Sequence, residues 1–156
     1  MIRTAVSVPR GILMRHIAPL IPLLLFVSLP MQQRPSTGTL TVIIDGLENS
    51  QGSVRIALSD TEDNYYDYAN PSQGVSASIV RGIAEWSFHN LTFGSYAIKA
   101  FHDENGDGEL DTNFLGIPVE NYGFSNNASG LFGPPSWEAA SFRFETDTLT
   151  IRITFD

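Results

Sequence analysis

The 156-residue chain contains no cysteine. That excludes disulfides, thiolate metal sites, a cysteine nucleophile and a lipid-modified N-terminal Cys. Basic residues are also scarce. Nine Lys and Arg stand against 17 Asp and Glu, and three of the nine, Arg3, Arg10 and Arg15, precede residue 33, before any acid. From residue 34 onward six bases face 17 acids, a balance of −11. Such a surface repels nucleic acid and anionic membranes and attracts divalent cations. Histidine is sparse too: beyond His16 there are only His89 and His102, too few for a three-His zinc site. No G-x-S-x-G elbow occurs. No long apolar run occurs either. The longest, residues 20–29, is half of the roughly 20 residues a membrane helix needs.

What is present divides into three parts. Residues 1–33 combine a basic start with that short apolar run, which Pro19, Pro22 and Pro30 bracket and interrupt. They read as a signal peptide or an N-terminal anchor, so the domain is expected to be exported, periplasmic or at the cell surface, with no membrane span in the mature part. Residues 34–38 (RPSTG) read as a linker. From Thr39 the apolar period becomes two. Seven runs, residues 39–47, 53–60, 75–82, 83–91, 95–103, 139–146 and 147–156, alternate as half-buried strands. The first two read as a hairpin, the third and fourth as a pair, and the last two as a terminal hairpin. A short helical turn is expected at 65–69. The fold class is therefore all-β: residues 39–156 form a single seven-stranded Greek-key β-sandwich. A domain of about 120 residues without disulfides must bury a real core, and chains of that size remove roughly two-thirds of their surface from water.

The most specific text is residues 102–128, HDENGDGELDTNFLGIPVENYGFSNNA. Asp103, Glu104, Asp107, Glu109 and Asp111 place five acids within nine residues, with no base among them. Against the calcium template D-x-[DN]-x-[DN]-G-x5-E, Asp103, Asn105 and Asp107 take positions 1, 3 and 5. Gly108 takes the sharp turn at position 6. Glu109 falls where a backbone carbonyl is supplied, and Asp111 at position 9. Phe114 stands where the bidentate Glu belongs. Calcium takes six to eight oxygens, so Asn113 and Glu120 are the candidates to complete the shell. Gly116, Pro118 and Gly123 forbid an exiting helix, so a Ca2+ loop on a β-scaffold is expected, not a helix–loop–helix sensor. The competing reading is a solvated acidic turn.

The run G-x-Y-A at 94–97, HDxNGxGxLD at 102–111, LGIPxExYGFSNN at 115–127 and P-S-[FW]-x-x-A at 135–140 resembles a bacterial family of exported domains of unknown function. The resemblance covers roughly residues 39–156. It implies a signal peptide and a prealbumin-like or Cna-B-like β-sandwich, and it brings no catalytic residue. The acidic loop is also similar to calcium loops of Cna-B-type surface repeats.

Function is expected to be non-catalytic: a structural or cell-envelope interaction module, with an envelope protein or a glycan as partner. An alternative is a carbohydrate- or peptide-binding domain whose surface is Tyr122, Phe124, Asn126, Asn127 and Trp137, with Phe132 nearby. The opposing reading has Phe124 and Trp137 plugging the sandwich and the Asn residues satisfying loop backbone. A hydrolase with an unrecognised site is the third.

Overall fold

Most apolar residues of one parity in the expected strands are buried, Trp86 at 39% exposure being an exception, but the strands that carry them pair differently. The computed structural model describes residues 36–131 and 133–155. The expected signal segment at 1–33, the start of the linker and Phe132 lie outside them. The chain divides into two units, Met1–Gln33 and Arg34–Asp156, and the described residues belong to the second.

Nine strands form two sheets. The first has the order β4 (Ile79–Val80), β5 (Ile83–Thr92), β1 (Thr37–Asp45) and β9 (Thr148–Thr154). The second runs β3 (Gln73–Ala77), β2 (Ser53–Ser59), β6 (Gly94–Asp103) and β7 (Tyr122–Phe124), and β8 (Phe142–Phe144) shares the free side of β6 with β7. Two short helices, α1 (Glu62–Tyr66) and α2 (Trp137–Ala140), lie in the connections.

Two expected pairings do not form and a third forms only in part. β1 and β2 are not a hairpin: β1 pairs with β5 and, in parallel, with β9, while β2 pairs with β3 and β6. Both strands have one apolar face, and two such faces bury more surface across a core than side by side. The crossing at residues 46–52 needs Gly46 and Gly52. Both have positive φ, and a Cβ would lie 2.1 Å from the Phe155 carbonyl oxygen at the first and 1.9 Å from that of Asp103 at the second. The terminal hairpin is also absent, because β8 joins β6 and β9 joins β1. The expected strand 75–82 splits at Ser78: its first half pairs with β2, and its second with β5 through a tight turn whose Arg81 and Gly82 both have positive φ. With this split and the unexpected strand β7, seven expected strands become nine among the described residues. Helix α1 starts earlier than the turn expected at 65–69, because the Thr61 hydroxyl accepts from the Asn64 amide as its N-cap.

Leu40, Val42 and Ile44 of β1, Val54, Ile56 and Leu58 of β2, Ile98 and Ala100 of β6, Phe144 and Ile153 fill the space between the sheets. Each fully buried large side chain contributes about 1.5–3 kcal/mol. β6 is covered on its other face as well. There Ala97 packs with Tyr65, Phe124 and Ala140 in a second cluster, with Trp137 partly buried against it. Buried Ser125 fastens this layer, accepting from the Ile98 amide at 2.8 Å and donating to the Ala140 carbonyl at 2.6 Å. The strand that leads into the acidic loop is therefore held from both sides.

Candidate functional site

The alternation of β6 sends its last two residues in opposite directions. His102 turns inward with the Ile98 face, and Asp103 turns outward with Lys99 and Phe101. Both are fully buried. His102 Nε2 lies 2.7 Å from the Gln51 carbonyl oxygen. A carbonyl only accepts, so Nε2 donates, tying the loop to the β1–β2 crossing. His102 Nδ1 has no hydrogen-bond partner and lies 3.6 Å from Glu104 Oε1.

Asp103 organises the loop. Its Oδ1 accepts from the Gly106 amide at 2.8 Å, and its Oδ2 from Gly108 at 3.1 Å and from Arg55 Nε at 2.8 Å. Burial pushes its carboxyl up, but the Arg55 guanidinium and the two amides outweigh burial and hold it below the usual carboxylate range. The next residues repeat a smaller unit. Asn105 Oδ1 accepts from the Asp107 amide, and Asp107 Oδ1 from Glu109, both at 2.9 Å. Each such turn uses one side-chain oxygen on its own backbone.

Glu120 reaches this loop from nine residues beyond Asp111. It is buried, its Oε1 accepting from the Glu104 amide and its Oε2 from Asp111, both at 3.0 Å. Glu120 thus brings a carboxylate to the loop from outside the template, and Phe114 itself is 95% exposed. Asp111 is held above the ordinary range, first by burial and then by the charges of Asp107, Glu120 and Asp103. The Asn105 amide nitrogen bridges two of these groups, donating to Asp107 Oδ2 at 2.9 Å and Asp111 Oδ2 at 3.1 Å. Asn113 does different work. Its Oδ1 accepts from the Leu115 and Ile117 amides and closes the neighbouring 112–118 turn. Glu109 is exposed.

The fit to a calcium ion follows from these contacts. Asp103, Asn105, Asp107, Asp111 and Glu120 are hard oxygen donors of the right kind. Two features stand against a preformed cage: Arg55 already supplies Asp103 with a cation, and the Asn105 N–H groups sit between two carboxylates. Among the described residues no three His, Cys, Asp or Glu side chains lie in metal-holding geometry. A cation would take the place of the Asn105 donor, relieving the repulsion that raises Asp111. Arg55 was missed in the sequence. It lies 48 residues upstream, and its only signal is a charge at an outward position of a strand.

The expected ligand surface divides. Tyr122 and Phe124 line a cavity of about 750 Å³ on the outward face of the second sheet, between the 108–110 part of the acidic loop and the Tyr68–Ala69 segment. Asn126, Asn127 and Trp137 do not line it. The Asn126 amide donates to the Ala139 and Ser141 carbonyls, and Asn127 Oδ1 accepts from the Thr154 amide. Trp137 packs edge-on against Tyr65 with ring centres 5.9 Å apart. Lys99 also lines the cavity. Its ammonium lies 3.9 Å from the centre of the Tyr68 ring and donates to the Tyr65 carbonyl. Burial lowers its pKa, and the charge of Asp67 opposes that.

Two facing sheets, a buried carboxylate at the exit of a central strand and an outward cavity beside it define an all-β domain of sandwich type. Residues 42–152 match the family described as "Uncharacterized protein conserved in bacteria (DUF2141)", and the chain belongs to that family. No curated protein and no solved structure matches it. No helix among the described residues is long and apolar enough to cross a membrane.

Proposed function

We propose that the chain is an exported, non-catalytic β-sandwich module of the cell envelope whose 103–111 loop binds a structural calcium ion. With the two-residue strand β4 and the three-residue strand β7 set aside, seven strands remain, and we read them as a prealbumin- or Cna-B-like Greek-key sandwich. The observation that carries the calcium reading is the convergence of Glu120 on Asp111 and Glu104. The Glu120 charge is one of three, with Asp107 and Asp103, that add to burial in holding the Asp111 carboxyl above the ordinary range. Asp107, Asp111, Asn105 and Glu120 would hold the ion, with water completing the shell. The bound ion would supply charge neutralisation and a clip between the loop and residue 120. Extracellular modules bind calcium with dissociation constants of roughly 10⁻⁴–10⁻³ M. At about 1 mM calcium that stabilises the fold by about 0.4–1.4 kcal/mol, a rise in Tm of roughly 2–6 °C. The test is thermal melting with calcium against chelator in the wild type and in Asp107→Ala, which is exposed in the loop. Superimposable wild-type curves would sink the calcium reading.

A second reading, a carbohydrate- or peptide-binding domain using the loop face, is favoured by one observation. Tyr122 and Phe124 turn toward a cavity bordered by the acidic loop. A glycan array or peptide screen with and without calcium, repeated on Tyr122→Ala, tests it. A hydrolase is the least supported reading, since among the described residues no nucleophile is paired with His102 or with the loop acids.

A further inference from the structure

The outward cavity combines two chemistries. Its floor and walls are largely apolar, with Phe101, Leu110, Tyr122 and Phe124 among them. Its charged groups come from neighbouring strands. Arg55 faces Phe101 across the β2–β6 pair, and Lys99 faces Ala57, so the two cations lie diagonally on one face. They differ in one respect. Arg55 is paired with Asp103. Among the described residues no carboxylate lies within 4.0 Å of the Lys99 ammonium, which donates to the Tyr65 carbonyl, rests on the rings of Tyr68 and Tyr65, and feels the charge of Asp67 from farther off. Glu109, at the rim, is exposed.

A half-buried ammonium against aromatic faces keeps a charge that its surroundings only partly satisfy. An anion brought to it forms a charge-assisted hydrogen bond away from bulk water. Apolar surface beside it rewards an apolar body on the same molecule. The geometry points to a binding site for a small amphiphilic organic anion, a carboxylate or phosphate monoester carrying an apolar chain or ring. Lys99 takes the anionic head, and Phe101, Tyr122 and Phe124 cover the apolar part. This inference rests on the ligand-binding reading above and needs no calcium, although Leu110 of the acidic loop lines the cavity.

The test is titration of the ¹⁵N-labelled chain with sodium octanoate, octyl phosphate and octan-1-ol, each in chelator, followed through amide chemical shifts. Both or either of the anions should shift the amides of Lys99, Phe101 and Tyr122 in a saturable way, and octan-1-ol should bind at least about tenfold more weakly, since a hydrogen bond to a charged group is lost. Lys99→Gln should weaken the anions by about tenfold and leave octan-1-ol unchanged. Lys99→Arg should restore them. Ala57→Phe, facing Lys99 on the cavity floor, should block all three ligands in a chain whose remaining spectrum is native. Equal binding of octan-1-ol and the anions, anion binding unchanged by Lys99→Gln, or no saturable shift with either anion would each overturn the inference. If the anions fail while a glycan or peptide shifts the same amides, the ligand-binding reading stands and this assignment of its ligand falls.

Discussion

Replacing Asp103 with alanine should be among the most damaging single changes in the loop. The carboxylate is fully buried and accepts three hydrogen bonds, from Gly106, Gly108 and Arg55. Alanine removes the acceptor of two loop amides, and because Gly106 and Gly108 are exposed each lost hydrogen bond is worth about 0.5–1.5 kcal/mol. It also leaves Arg55 unpaired, but that side chain is 40% exposed and can turn to water, so the ion pair adds at most about 1 kcal/mol. The sum is about 1–4 kcal/mol, a large part of a stability of roughly 5–15 kcal/mol. Asp103→Asn keeps one acceptor but turns an N–H₂ toward donors, and should cost about 2 kcal/mol. The assay is urea unfolding in chelator, with hydrogen exchange at Gly106 and Gly108 as the local readout. A loss below about 1 kcal/mol for Asp103→Ala, or unchanged protection at both glycines, would refute the anchoring role. The same contacts set a pH dependence. The folded pKa lies below the unfolded value of about 3.9, so this stabilisation is fully present above that value and is lost as pH falls through the folded pKa. Wild type and Asp103→Ala should therefore converge in stability below the folded pKa, diverge as pH rises toward about 4, and keep a constant difference above it.

Other positions give sharper signs. Asp111→Asn keeps an acceptor for Asn105 and removes one of the repelling charges, so it should raise stability in chelator at neutral pH and reduce the response to calcium, read by paired melts. Glu120→Ala should cost about 2 kcal/mol in urea unfolding, because both its oxygens hold backbone amides, and Glu120→Gln about half of that. Gly123→Ala would put a methyl 2.7 Å from Ile153 Cγ2 and 3.0 Å from Phe155 Cδ1, an overpacking that should cost about 1–3 kcal/mol in the same assay. Tyr65→Phe deletes the buried hydroxyl that donates to the Pro135 carbonyl at 3.0 Å and should cost about 1 kcal/mol with a native near-UV spectrum.

The sequence by itself determined the class of the fold and the inward faces of its strands. The two-residue period at 40–44, 54–58 and 96–100 marks the residues found in the core, because successive side chains of a pleated strand point to opposite faces and only one parity faces the other sheet. It also determined the local turns of the acidic loop, since Asp and Asn side chains fold onto amides two or three residues ahead. Only the tertiary structure decided which strands pair. Alternation gives each strand a face but not a neighbour, so adjacent segments such as 39–47 and 53–60 could be joined in one sheet or set across the core from each other, and burial favoured the second. The groups that act on the loop from a distance were decided in the same way. Arg55 reaches Asp103 because β2 lies beside β6, and Glu120 reaches Asp111 because the 112–118 turn doubles the chain back. Lys99 and Tyr68 meet because the segment after α1 folds over the outer face of the second sheet. None of these contacts has a spacing in the sequence, because each depends on a pairing or crossing made elsewhere in the chain.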